Sequence, residues 1–91
     1  MDDDKQLTYP LVHMNGTSKE DLLDGYQKAW EALSRASDAL AATSPHARDY
    51  YPKENGNREY GYAYRQHLDR MCAIEVIMDE ILMMTRHVQK S

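Results

Sequence analysis

The chain has 91 residues, a net charge of -4 and one cysteine. That length fits one domain with little interior, and the acidic balance argues against a general nucleic-acid binder, which presents a basic field. Cys72 alone forms no intramolecular disulfide and no cysteine-rich metal site, and it suits a reducing cytoplasm.

Residues 1–16 read as an arm. The opening Met1-Asp2-Asp3-Asp4-Lys5 is acidic and lacks the apolar core of a signal peptide. Leu7, Tyr9 and Leu11 then alternate with Thr8, Pro10 and Val12, and Pro10 blocks a helix. The expectation is an extended segment lying across helices, its own or a neighbour's.

Residues 17–91 read as a helical hairpin domain, so the fold class is all-α. Asn15-Gly16-Thr17-Ser18 is a turn into helix one, about residues 18–43. Thr17-Ser18-Lys19-Glu20 fits a capping box, with the Thr17 hydroxyl accepting from the backbone of Glu20. Leu22, Tyr26, Ala29, Leu33, Ala36 and Leu40 then repeat at alternating four- and three-residue spacing, a coiled-coil-like seam. Leu23 and Trp30 widen it. Pro45 disfavours helical backbone before it and closes the helix.

Residues 44–57 form the connection. It is longer than the roughly 2–8 residues usual between helices. Pro45 and Pro52 stiffen it, and Asn55-Gly56 is a turn signal. A long, stiff, aromatic loop in so small a protein is a natural place for function. Residues 46–70 are the least acidic part of the chain and hold five of its seven tyrosines.

Helix two is expected over about residues 58–88, with Asn57 as its cap. Tyr60, Tyr64, His67, Met71, Ile74, Met78, Ile81, Thr85 and Val88 follow the same seam spacing. Tyr60-Gly61-Tyr62-Ala63-Tyr64 also fits a strand of period two, but the unbroken seam on both sides favours helix. Cys72, Ala73, Val76, Ile77, Leu82, Met83 and Met84 lie outside the seam. One partner helix cannot cover all of these, and a helix that is apolar nearly all round is a buried one. The expectation is therefore an antiparallel two-helix hairpin that assembles into a helical-bundle homo-oligomer, a dimer or higher. The run Met71–Met84 is interrupted by Glu75, Asp79 and Glu80, so no membrane span is expected.

Three clusters are candidates for a site. His46, Arg48, Asp49, Tyr50 and Tyr51 combine a planar cationic fork with flat aromatic faces and hydroxyls, chemistry suited to a phosphate and a base. The plain alternative is a loop folded onto the helix ends, with Arg48 paired to Asp49 or to a helix C-terminus. Asn15, Thr17 and Ser18 put backbone donors and hydroxyls at a helix N-terminus, where anions bind. Ordinary capping explains them equally. Tyr62 and Arg65 fall off the seam and are free to contact a ligand, or are solvated surface.

The remaining candidates read as structural. His67 on the seam reads as a core histidine. His13, His46, His67 and His87 show no metal spacing. Glu75 and Asp79 stand four apart, but no Glu-x-x-His set accompanies them. Cys72 has no activating base nearby in sequence. No metal or cofactor is expected, and no Walker loop, dinucleotide fingerprint or nucleophile elbow is present.

His13-Met14-Asn15-Gly16-Thr17-Ser18 opening a helix, followed by Pro45-His46-Ala47-Arg48-Asp49-Tyr50-Tyr51-Pro52 between two helices, resembles a family of short helical proteins of tailed bacteriophages and prophages. The resemblance runs from about residue 13 to residue 85, and relatives often have glycine at the place of Ala47. It implies action in the cytoplasm of an infected bacterium. By looser analogy of style, the chain resembles small oligomeric phage proteins that sequester nucleotide immune signals without catalysis. Under that expectation Arg48 holds phosphate, Tyr50 and Tyr51 stack on a base, and a neighbour's Asn15, Thr17 and Ser18 complete the pocket. A module binding a host or phage protein through its tyrosines is the alternative. A small hydrolase using His46 and Asp49 lacks a nucleophile.

Overall fold

The computed structural model describes residues 6–91; the acidic opening Met1–Lys5 lies outside them. The described chain is all-helical. Helix α1 runs Lys19–Ala41, a single 3-10 turn occupies Ala47–Asp49, and helix α2 runs Gly56–Gln89. There are no strands among the described residues, so the Tyr60–Tyr64 stretch is helix.

Local chemistry sets the ends, with two corrections to the expected caps. The N-cap of α1 is Ser18 rather than Thr17: the Asp21 backbone N–H donates to Ser18 Oγ at 3.0 Å. Glu20 and Asp21 then sit against the positive end of the helix dipole. At the other end the Thr43 hydroxyl donates to the Leu40 carbonyl at 2.7 Å, satisfying one of the terminal acceptors. Helix α2 starts at Gly56, two residues before its expected start, because Asn55 takes the left-handed conformation with φ 59° and turns the chain into the helix. Asn57 is therefore inside the helix and caps nothing.

The helices pack antiparallel. Lys19 Nζ donates to the Ser91 carbonyl at 2.9 Å, tying the start of α1 to the end of α2. The arm crosses the same end: Tyr9 stacks on His87 of its own chain, with ring centroids 4.2 Å apart and planes 6° from parallel. Outside this pairing, charged contacts are superficial. Lys28 pairs with Asp24 one turn earlier at 2.8 Å, and hydrogen bonding to that carboxylate, then its charge, holds the Lys28 ammonium above its usual pKa.

The observed inward stripe follows the expected seam with local drift. On α1, Leu22, Tyr26, Ala29, Leu33 and Leu40 are half-buried, but Ser37 takes the place expected for Ala36. On α2, Ala63 faces inward where Tyr64 was expected. A straight helix of 3.6 residues per turn drifts about 20° per heptad away from a strict seven-residue repeat, which accounts for both shifts.

Helix α2 is eleven residues longer than α1, an overhang of about 16 Å at ~1.5 Å per residue. The connection folds back along that overhang. Gly56 is buried with its Cα against the Tyr50 carbonyl and the Tyr51 Cα, and any Cβ there would overlap backbone. Tyr50 packs on Tyr60, and Tyr60 on Tyr64, at 6.2 and 6.1 Å between centroids. Lys53 lies over the Tyr50 ring and reaches Glu59 Oε1 at 3.2 Å. Gly56→Ala is accordingly expected to unseat the loop and cost about 1–3 kcal/mol, read as a lowered denaturation midpoint.

A single chain encloses very little. Among the described residues Val88 is the one buried hydrophobic side chain, and α1 has no buried residue. The radius of gyration is 18.8 Å, against about 12 Å for a compact domain of this length.

Candidate functional site

The folded-back connection creates a cavity of about 460 Å³ between itself and α2, lined by Thr43, Ser44, Pro45, Asp49, Tyr50, Lys53, Ala63, Gln66, His67 and Arg70. The volume falls within the roughly 300–1,000 Å³ range of small-molecule sites. Its walls are mostly polar. Arg70 brings a positive charge and Asp49 a negative one, and Lys53 adds an ammonium that Glu59 pairs at 3.2 Å, so the rim is charged but near balance. Gln66, Ser44 and the Tyr50 hydroxyl add hydrogen-bonding groups.

His67 gives the cavity its character. It is only 5% exposed, and its imidazole has no hydrogen-bond or charged partner among the described residues. No buried side-chain nitrogen or oxygen among the described residues lacks a partner, so the ring nitrogens of His67 stay open to the adjoining space and are free to bond a guest there.

The expected site residues divide into three places. Asp49 and Tyr50 line the cavity. His46, Arg48 and Tyr51 are on the same connection but exposed outside it, and Arg48 pairs neither with Asp49 nor with a helix end. Tyr62 and Arg65 are exposed on the outer surface of α2. Asn15, Thr17 and Ser18 stand at the opposite end of the hairpin, beside the Lys19–Ser91 tie. Gly16 there donates to the His13 carbonyl at 3.1 Å, and Ser18 is engaged as a cap. One chain therefore does not bring the two boxes together.

Sequence reasoning missed Thr43, Ser44, Lys53, Gln66, His67 and Arg70. The usable signal was length: a connection too long for a simple reversal has to lie along something. Ala63, Gln66, His67 and Arg70 recur at three- and four-residue spacing on the α2 face that such a loop would cover.

A second hollow, about 290 Å³, lies between the helices. Trp30, Met78 and Leu82 form its floor, and Asp38, Glu75 and Asp79 stand around it. No group of three or more His, Cys, Asp or Glu among the described residues is placed to hold a metal ion. No described helix is long and apolar enough to cross a membrane.

Comparison with known proteins found no matching family model, no matching curated protein and no matching solved structure.

Proposed function

We propose that this chain is a self-associating, non-catalytic binder that sequesters a nucleotide-class ligand in the cavity beneath the 42–55 connection. The observation that carries the reading is His67, 5% exposed as a residue and with ring nitrogens left open, on the lining of a polar space of about 460 Å³. An anionic phosphate suits Arg70, whose planar fork matches its oxygens, with the Lys53 ammonium, held by Glu59, on the same lining. His67 supplies a hydrogen bond from the floor, and the Tyr50 ring a flat face. Arg48 and Tyr51 at the exposed rim are then a second contact for the part of the ligand that emerges.

Sequestration fits better than turnover. The cavity residues offer donors and charge but no nucleophile held by a base. In this reading the protein acts in the cytoplasm of a phage-infected bacterium and titrates a nucleotide immune signal, as the resemblance to short phage proteins implies. Isothermal titration against cyclic dinucleotides and cyclic ADP-ribose isomers is the test. Saturable heat with one class, and recovery of that nucleotide intact after heat denaturation, is the expected result. A folded protein giving no heat with any of them ends the proposal.

A second reading, a module for a protein partner, is favoured by the exposed apolar side chains of α2. Stoichiometric capture of one host protein, lost on Arg48→Ala, would support it.

A further inference from the structure

The two helices differ in how many faces they use. On α2 the line His67, Ile74, Met78 and Thr85 faces α1. Counting about 100° per residue, a second line lies roughly 140° around the helix: Arg65, Leu68, Cys72, Val76, Asp79 and Met83. All six are exposed, with Leu68 at 46%, Val76 at 55% and Met83 at 46%. Gly61 continues the line at its N-terminal end, with open space where a Cβ would stand.

This line reads the same in both directions. From Gly61 to Met83 its steps are four, three, four, four, three and four residues, with Cys72 at the centre. An antiparallel copy of the helix, crossed on Cys72, therefore meets it in register. Leu68 then lies opposite the partner's Val76. Arg65 lies opposite the partner's Asp79, and neither residue has an ionic partner within one chain among the described residues. Gly61 leaves room for the partner's Met83.

We propose that this face docks a second copy of the chain, with the two α2 helices antiparallel about Cys72 and each α1 on the outside. The inference rests on the reading of the chain as self-associating. The surface left over supports it. The chain exposes 7224 Å², while a compact monomer of its mass exposes about 5,500 Å². The surplus is about twice the ~800 Å² each partner gives to a standard interface. Such a dimer puts α2 in the middle of a four-helix layer, where a helix with two apolar faces belongs.

The test is a charge swap combined with a crosslink on the full chain. Arg65→Asp and Asp79→Arg each place like charges opposite one another twice in the dimer. Each is expected to raise the dimer dissociation constant by about tenfold or more, and the double variant to return it to near the parent value. A bismaleimide spanning about 8–10 Å, the usual distance between packed helix axes, should join Cys72 to the partner's Cys72 in the folded parent. Neither single charge variant should crosslink once diluted below its dissociation constant. An oligomer whose dissociation constant ignores both charge reversals, and whose thiols do not crosslink, overturns the assigned face and leaves self-association standing. A chain that is monomeric throughout the micromolar range overturns both.

Discussion

His67→Leu is expected to leave the protein folded with little change in stability and unable to bind its ligand. The imidazole is 5% exposed and has no partner among the described residues. Leucine fills similar space, and no buried side-chain nitrogen or oxygen among the described residues lacks a partner, so the change removes no burial penalty. The unfolding midpoint should therefore move by less than about 4 °C. Binding should fall because the floor of the cavity loses its hydrogen-bonding group while Arg70 and Lys53 stay in place. Thermal denaturation and titration of the same preparation check both halves. A much lower midpoint would mean that the imidazole holds the fold together. An unchanged midpoint with unchanged binding would mean that the ligand sits elsewhere. Arg70→Ala is the companion variant: it should weaken binding and leave the midpoint nearly unchanged, since the side chain is exposed.

Much of the fold was legible in the sequence because periodicity reports burial directly. The seam residues Leu22, Tyr26, Leu33, Met71, Ile74, Met78 and Val88 all turn inward. Caps were less legible. Thr17 and Ser18 are chemically alike, and only backbone geometry decides which one begins the helix. Asn55 and Asn57 posed the same choice, decided by the left-handed turn at Asn55. The candidate site was half legible. The Arg/Tyr box lies on the loop that bounds the cavity, but composition cannot show which side of a loop faces in. Asp49 and Tyr50 line the cavity, while Arg48 and Tyr51 on either side of them face water. The four α2 residues under the loop were hidden by the hairpin itself. His67 and Arg70 become neighbours of Tyr50 only because α2 overruns α1 and the connection must cover the excess. Arg65, a ligand candidate in the sequence, stands on the exposed outer line of α2 with Leu68 and Val76.

Stability is expected to depend on protein concentration. Full burial of a large apolar side chain is worth about 1.5–3 kcal/mol, and in one chain Val88 is the single hydrophobic residue described as buried. The half-buried stripe between α1 and α2 offers little to set against chain entropy. In the proposed dimer, association supplies a large share of the folding free energy, and mass action then sets the midpoint. For a dimer, a hundredfold rise in concentration adds about 2.7 kcal/mol per dimer, which moves the midpoint by roughly 5–10 °C. A monomer shows no such shift. Denaturation followed by circular dichroism at several concentrations reads this without a ligand. Leu68→Glu should lower the midpoint and shrink its concentration dependence together, because it buries a charge at the proposed crossing without a partner. A midpoint that stays put across the whole range would mean that the hairpin stands alone, and the exposed line of α2 would then need a different occupant.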